Sequence, residues 1–189
     1  MITRIGYTQD ISGIIALQKA NLYDNLSDQD RKMGFVTTPF SEAQLEHLLA
    51  EHGIFVAEDQ GVITGYTMAG TWKFFSQWPI FPYMESRLGS LSFAGKRVPP
   101  EQSFQYGPVC ITAALRGSGI FPRLFEEMRK DFASRFPVGI TFINRVNERS
   151  YAAHTRKLPM TEIDAFEFSG RRYAMLAFDT SRPVIGNSG

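Results

Sequence analysis

The sequence has very little cysteine and no long apolar run, and both absences narrow the classes of protein to which it can belong. Cys110 is the only cysteine among 189 residues, so neither an intramolecular disulfide nor a multi-cysteine zinc site can form. No stretch approaches the about 20 apolar residues of a membrane span, and the start of the chain lacks the apolar core of a signal peptide. These absences predict a soluble, cytoplasmic protein without a membrane partner.

A surplus of charge of either sign is also missing. Twenty Lys and Arg against 19 Asp and Glu give a formal net charge of +1, which lacks the basic excess of a nucleic-acid-binding protein. The three histidines have no metal-ligand spacing to one another or to carboxylates, so no metal is expected. What the chain does have is ordinary globular composition, with 43% hydrophobic residues, and a length that suits one domain with a sizeable core.

Apolar periodicity and turn residues predict alternating strands and helices in the first half of the chain. A short strand over residues 3–7 precedes a helix that Asp10 caps, and a second helix begins at Ser41. A hairpin follows over residues 54–72. The aromatic-rich segment 72–102 breaks this rhythm, so it is interpreted as an insertion that serves as core, as a lid over a pocket or as a dimer surface.

The second half of the chain predicts a parallel step in the sheet. Its elements are a strand over 103–111, a helix over 117–136, a strand over 139–146, a helix over 148–158 and a closing hairpin over 161–178. A helix between two strands implies that those strands run parallel. We therefore expect an α/β fold in a single domain over residues 1–180, with a mixed sheet, helices on both faces and a tail over 181–189.

Residues 109–132 carry the most informative pattern, a strand that runs through a glycine turn directly into a long helix. A helix start leaves backbone N–H groups unpaired and favours negative charge, and glycines let a diphosphate approach the backbone. The turn from Arg116 to Phe121 therefore predicts a cradle for a phosphate-bearing ligand, or else a merely flexible connection. A P-loop lysine and the third glycine of a dinucleotide fingerprint are both absent.

Two ordered segments resemble signatures of the GNAT superfamily of N-acetyltransferases. The glycine turn is similar to the motif Gln/Arg-x-x-Gly-x-Gly/Ala through Arg116 and Gly119, and Phe121 departs from its last position. The second signature runs Asn-x-x-Ser/Ala, then Tyr or His, then Lys-Leu-Gly-Phe. The residues that match it, with one residue inserted after His154 and Pro159-Met160 in place of Gly-Phe, are Asn147, Ser150, His154, Lys157 and Leu158. The resemblance covers about residues 103–178.

The resemblance implies a sheet that splays between two parallel strands, here those ending at Ile111 and Val146, with the pantetheine arm of acetyl-CoA in the gap. Asn147 would bond this arm by its side chain, and Ser150 belongs with it among the cofactor-binding residues. The backbone groups that would pair with pantetheine are those of Val109, Cys110 and Ile111. The backbone N–H groups that would hold the diphosphate are those of Arg116, Gly117, Ser118, Gly119, Ile120 and Phe121.

The implied reaction is attack of an amine on acetyl-CoA, and the resemblance leaves its general acid and general base open. His154 stands where the family often has the tyrosine that protonates the leaving thiolate, and Tyr151 competes for this role. The strand over 103–111 contains no Asp, Glu or His, so the general base would come from elsewhere. Candidate bases are Glu58, Glu85, Glu101 and Asp164. A covalent acetyl-Cys110 is disfavoured because no residue of its own strand would activate the thiol.

The acceptor amine and the partners stay open at this point. Peptide N-termini, lysines, polyamines, aminoglycosides and small metabolites all fit, and the aromatic insertion could support a homodimer. The alternative function is a non-catalytic CoA-binding sensor or partner module on the same fold. The missing strand base and Phe121 favour that alternative.

Overall fold

The computed structural model describes residues 1–32 and 34–185 of the chain. Its strands are β1 (Ile2–Ile5), β2 (Ile54–Asp59), β3 (Val62–Gly70), β4 (Ser92–Phe93), β5 (Lys96–Arg97), β6 (Ser103–Ile111), β7 (Val138–Asn144), β8 (Thr161–Phe168) and β9 (Arg171–Asp179). Its α-helices are α1 (Ile11–Asn21), α2 (Asp28–Arg31), α3 (Glu42–Ala50), α4 (Trp72–Phe75), α5 (Ile80–Leu88), α6 (Ile120–Phe132) and α7 (Glu148–Arg156). None of these helices is long and apolar enough to cross a bilayer.

Contacts divide the described chain into two compact units. The first unit contains Met1–Ala69, Gly107–Asp131 and the described residues from Pro183 onward, and the second contains Gly70–Tyr106 and Phe132–Arg182. Strand β6 therefore begins in the second unit and ends in the first. The single domain predicted over residues 1–180 stays a prediction.

The sheet of the first unit is antiparallel. Strand β1 pairs with β2, and β2 pairs with β3. The end of β6 lies beside β3, where the Thr112 N–H donates to the Thr64 carbonyl at 2.9 Å. A β-bulge between Ala57 and Glu58 shifts the β2–β3 register. The start of β3 packs so closely on α1 that a Cβ at Gly13 would lie 2.7 Å from Cγ1 of Ile63, which explains the glycine in that helix.

The sheet of the second unit contains the predicted parallel step. Strand β6 pairs in parallel with β7 from Ser103↔Val138 to Gln105↔Ile140. Strand β9 pairs antiparallel with both β7 and β8, so the predicted closing hairpin is confirmed. Neighbouring pairs together give a seven-stranded mixed sheet in the order β1-β2-β3-β6-β7-β9-β8. The predicted α/β fold with a mixed sheet is confirmed, and the splay beyond Gln105 stays a prediction.

Several predicted element ends are wrong, and local hydrogen bonds explain them. The central helix stops at Phe132 rather than at residue 136, because the N–H groups of Arg135 and Phe136 both turn back to the Phe132 carbonyl. Strand β7 stops at Asn144 rather than at Val146, because the Asn144 side chain accepts the Val146 N–H at 3.1 Å and forms a turn. The helix predicted over 148–158 ends at Arg156.

The aromatic segment 72–102 forms part of the core of the second unit. The ring centroids of Phe75 and Phe81 lie 4.7 Å apart, and Phe81 meets Phe142 of β7 edge to face at 5.4 Å. The Trp72 indole N–H donates to the Ser103 hydroxyl at 3.0 Å. Since the side chains of Trp72, Phe75 and Phe81 are all buried, the core interpretation holds for these three residues. The homodimer stays a prediction.

The predicted tail is tied to the first unit over its described part. The Val184 N–H donates to the Glu126 carboxylate of α6 at 3.1 Å. Glu126 is itself buried and bonded to Arg129 at 2.7 Å. Val184 is therefore held by a hydrogen bond, the frayed tail predicted after Ser181 stays a prediction, and residues 186–189 lie outside the described residues.

Candidate functional site

The glycine turn between β6 and α6 has the conformation that its sequence predicts. Gly117 and Gly119 have φ angles of +91° and +89°, in the region that side chains disfavour. A Cβ at either position would meet nothing within 4 Å, so both glycines face open space. Among the described residues no acceptor pairs with the N–H groups of these two glycines. An exposed turn with free backbone donors at a helix start can bind an anion.

The same angles change how the turn aligns with the GNAT motif. The two left-handed residues stand at 117 and 119, immediately before the first helical residue, Ile120. We therefore place the motif's Gly-x-Gly on Gly117 and Gly119. Phe121 then lies inside the helix and outside the motif, and Ala114 stands at the motif's first position. The structure favours this register because only these two positions of the turn require glycine.

The Arg116 side chain stabilises the turn. Its Nε–H donates to the Ile111 carbonyl at 3.0 Å, and its terminal N–H donates to Oδ1 of Asn21, at the end of α1, at 2.7 Å. Ser118 closes the turn from within, since its hydroxyl donates to the Leu115 carbonyl at 2.7 Å. These two side chains hold the backbone of the turn in shape. The backbone N–H groups of Arg116 and Ser118 are themselves engaged, since they donate to the Ala113 and Leu115 carbonyls at 3.3 Å each.

Cys110 lies in the buried end of β6 and is poorly suited to be a nucleophile. Burial raises the pKa of its thiol to about 12, against opposing effects of the Arg116 charge and the Tyr66 hydroxyl. At neutral pH the side chain is therefore a thiol, and thiols attack thioesters far more slowly than thiolates. Its Sγ approaches the Leu17 carbonyl of α1 at 4.0 Å. Its neighbours Val109 and Ile111 contribute no ionisable group.

In the second unit the start of α7 forms as predicted. Asn147 caps the helix, because its side-chain oxygen accepts the Ser150 N–H at 3.2 Å. His154 lies one turn further on, and its Nδ1–H donates to the Ser150 carbonyl at 2.7 Å. The structure therefore brings Asn147, Ser150 and His154 together on one side of α7.

The environment of His154 weakens the acid role predicted for it. The side chain is buried and packs edge to face on Tyr106, with ring centroids 5.8 Å apart. Burial lowers the pKa of His154 to about 4, and the hydrogen bond to Ser150 opposes this only in part. At pH 7 about one molecule in a thousand carries the imidazolium proton. The proton of the neutral ring is on Nδ1 and already engaged.

The Tyr151 side chain lies in a separate cluster with Glu162 and Arg145, which the sequence did not predict. Its hydroxyl donates to the Glu162 carboxylate of β8 at 2.7 Å, and Glu162 also pairs with Arg145. The Arg145 guanidinium carbon lies 5.3 Å from the centre of the Tyr151 ring. The hydrogen bond to Glu162 is the main reason why the pKa of Tyr151 is raised. Tyr151 and Arg145 line an open groove of about 430 Å³, and the Tyr151 side chain is half-buried whereas His154 is buried.

The candidate general bases differ in ion pairing and in exposure. Asp164 is paired with Arg87 at 2.6 Å, and Glu58 is paired with Arg4 at 2.5 Å. Glu101 is exposed and Glu85 is half-buried. Over residues 1–32 and 34–185 no group of three or more metal-binding side chains occurs.

Solved structures share this fold across nearly the whole chain. An N-acetyltransferase from Staphylococcus aureus Mu50 has 18% identity and a TM-score of 0.61, with 95% of this chain and 98% of that chain covered. The protein yncA from Salmonella typhimurium, solved with its cofactor acetyl-CoA, has 16% identity and a TM-score of 0.62, with 100% of this chain and 99% of that chain covered. A GNAT superfamily phosphinothricin acetyltransferase from Sinorhizobium meliloti, in complex with acetyl-CoA, has 16% identity and a TM-score of 0.63, with 94% and 87% covered.

Sequence comparison adds nothing to this likeness. No family model matches the chain, and no curated protein sequence does. At these identities the likeness shows the fold, which is the GNAT fold that the two sequence signatures implied.

Proposed function

We propose that this chain is an N-acetyltransferase that moves an acetyl group from acetyl-CoA to an amine. The observation that carries the proposal is the turn at Gly117 and Gly119, where two left-handed glycines leave free N–H groups in the open at the start of α6. A diphosphate is the group that such a turn suits best. The GNAT fold and the two ordered signatures support the same ligand.

Each predicted cofactor residue has one role in this proposal. The backbone N–H groups of Gly117, Gly119, Ile120 and Phe121 hold the diphosphate, whereas Arg116 and Ser118 stabilise the turn, since their own N–H groups are bonded within it. The backbone of Val109, Cys110 and Ile111 binds the pantetheine arm and stabilises the oxyanion that forms on attack. In the second unit Asn147 has its side-chain nitrogen left for the arm, since its oxygen caps α7. Tyr151 is the better candidate for the acid, because His154 is buried and neutral.

Binding of the cofactor is the first test. Acetyl-CoA at about 100 times its dissociation constant should stabilise the fold by about 2.7 kcal/mol, which a thermal melt detects. Isothermal titration with acetyl-CoA then gives the affinity. A melting temperature that does not change at millimolar acetyl-CoA contradicts the proposal.

A non-catalytic CoA-binding module is the second candidate function, and two observations favour it. Strand β6 contains no Asp, Glu or His, and His154 has no available proton at neutral pH. Release of free thiol from acetyl-CoA over a broad panel of amines separates the two functions. Cofactor binding without thiol release on any amine would select the binding module.

A further inference from the structure

A cavity of about 600 Å³ lies in the first unit, along the N-terminal half of α1. The helix contributes Ser12, Ala16 and Leu17 to its lining, and the β2–β3 hairpin contributes Glu58 and Ile63. The volume falls within the range of about 300–1,000 Å³ that small-molecule sites occupy. Of the residues that the sequence predicted for catalysis, Glu58 alone lies here.

The charges of this cavity sum to a net negative one. Arg4 donates to both oxygens of Asp10, at 2.7 and 2.9 Å, and to Oε2 of Glu58 at 2.5 Å. Asp10 also accepts the Tyr7 N–H at 2.8 Å and is only 5% exposed. Burial alone would raise the pKa of Asp10, but the bonds from Arg4 and Tyr7 outweigh it and the pKa is lowered. One guanidinium therefore faces two carboxyl groups.

Glu58 has acceptor capacity left toward the cavity. The bonds from Arg4 go to its Oε2, whereas its Oε1 has no hydrogen-bond partner among the described residues. The side chain is 26% exposed, and Glu58 is among the residues that line the cavity. Arg4 has no such capacity, because its remaining N–H donates to the Ile5 carbonyl at 3.0 Å. A ligand that completes this arrangement must donate hydrogen bonds and carry positive charge.

The lining of the cavity also contains apolar side chains. Ala16 and Leu17 contribute from α1, and Val62 and Ile63 contribute from β3. Val62 is 61% exposed. An apolar surface next to a carboxylate fits a molecule with a charged head and a hydrocarbon body.

We propose that this cavity binds an organic ammonium ion, with the ammonium group donating to Oε1 of Glu58 and the hydrocarbon body lying along Ala16, Leu17 and Ile63. The site goes beyond the proposed acetyl transfer, since its lining contains no residue of the glycine turn and its occupation requires no acetyl-CoA. A carboxylate ligand is repelled by Glu58 and Asp10. A neutral alcohol of the same length leaves the charge of Glu58 uncompensated.

The test is a titration of the ¹⁵N-labelled chain with n-hexylammonium chloride in the absence of acetyl-CoA. We expect saturable shifts in the backbone amide signals of residues 9–17 and 58–63, with n-hexanol binding at least 10-fold more weakly and hexanoate not binding. Because no cofactor is present, the outcome is independent of whether the chain transfers acetyl groups.

Three variants locate the site. Glu58→Gln should weaken hexylammonium binding at least 10-fold, and Asp59→Asn should leave it unchanged, because Asp59 pairs with the chain's amino terminus outside the cavity. Ala16→Phe should block binding while keeping Arg4, Asp10 and Glu58 intact, since Ala16 is on the exposed face of α1. Equal binding of hexylammonium and hexanol, no binding of either, or full binding to Glu58→Gln or to Ala16→Phe each overturns the proposal.

Discussion

Replacing Gly119 by glutamate should disable the proposed diphosphate site through charge. The residue lies in the exposed turn before α6, and a side chain there would meet nothing within 4 Å. The glutamate therefore enters the space that the diphosphate is proposed to occupy. A matched variant, Gly119→Gln, has nearly the same shape and no charge.

The two variants share the cost of the backbone conformation and differ in electrostatic repulsion of the ligand. Both must adopt the φ of +89°, which costs a residue with a side chain about 1–2 kcal/mol. Only the glutamate adds repulsion, and two unit charges at ~4 Å repel by about 1 kcal/mol in bulk water and by about 4 kcal/mol at an effective dielectric constant of 20. We therefore expect Gly119→Glu to bind acetyl-CoA at least 10-fold more weakly than Gly119→Gln.

Isothermal titration of both variants with acetyl-CoA measures this difference, and a thermal melt of each checks the fold. Gly95→Glu is a control for backbone cost, because Gly95 has a φ of +79° in the β4–β5 turn and equally open surroundings. It should bind acetyl-CoA like the natural chain. The gap between glutamate and glutamine should also narrow as salt rises, since exposed charges are screened.

Equal affinities of the glutamate and glutamine variants would refute the reasoning, because they would show that no negative group of the ligand lies near residue 119. An equal loss of affinity in Gly95→Glu would show that the backbone cost, and not the charge, is responsible.

Four further predictions follow from the buried groups. The free energy of unfolding should fall by about 3 kcal/mol as pH falls from 6.5 to 4, because the pKa of His154 is about 4 when folded and about 6.5 when unfolded. Denaturation at several pH values should therefore show a flatter stability profile for His154→Gln than for the natural chain. Cys110→Ala should keep its turnover, and mass spectrometry of the natural chain with acetyl-CoA should find no acetyl-cysteine. Tyr151→Phe should lower the rate of thiol release by about 100-fold with unchanged acetyl-CoA affinity, whereas His154→Gln should keep most of its rate in steady-state kinetics at pH 7. Gly139→Ala should be destabilised by about 1–3 kcal/mol in urea unfolding, because its Cβ would lie 2.0 Å from the buried ring of Phe178.

The sequence predicted the features that depend on neighbours within about four residues. The free donors of the glycine turn arise just before the start of a helix, and the left-handed angles are ones that glycine adopts at little cost. The Asn147 cap joins residues three apart, and the Ser41 cap of α3 does the same with Gln44. Such pairs are set by spacing, so their prediction did not require the fold.

One wrong prediction concerns a side chain that joins an ion-pair cluster from distant parts of the sequence. Asp10 was expected to cap α1, but it makes no capping hydrogen bond and instead pairs with Arg4, which also takes Glu58, 54 residues further along the chain. An ion pair of this kind forms only when β1 and β2 are adjacent, so no local sequence pattern predicts it.

The proton chemistry of the candidate site was decided by tertiary structure alone. The sequence placed His154 and Tyr151 on the same stretch of α7, and helical spacing allowed both to serve as acids. Packing then buried His154 against Tyr106, and strand β8 placed Glu162 beside the Tyr151 hydroxyl. Burial and hydrogen bonding set a pKa, and both depend on which elements the fold brings together. The sequence by itself thus determined the backbone of the glycine turn, whereas the fold decided the surroundings of the two α7 side chains that could act as the acid.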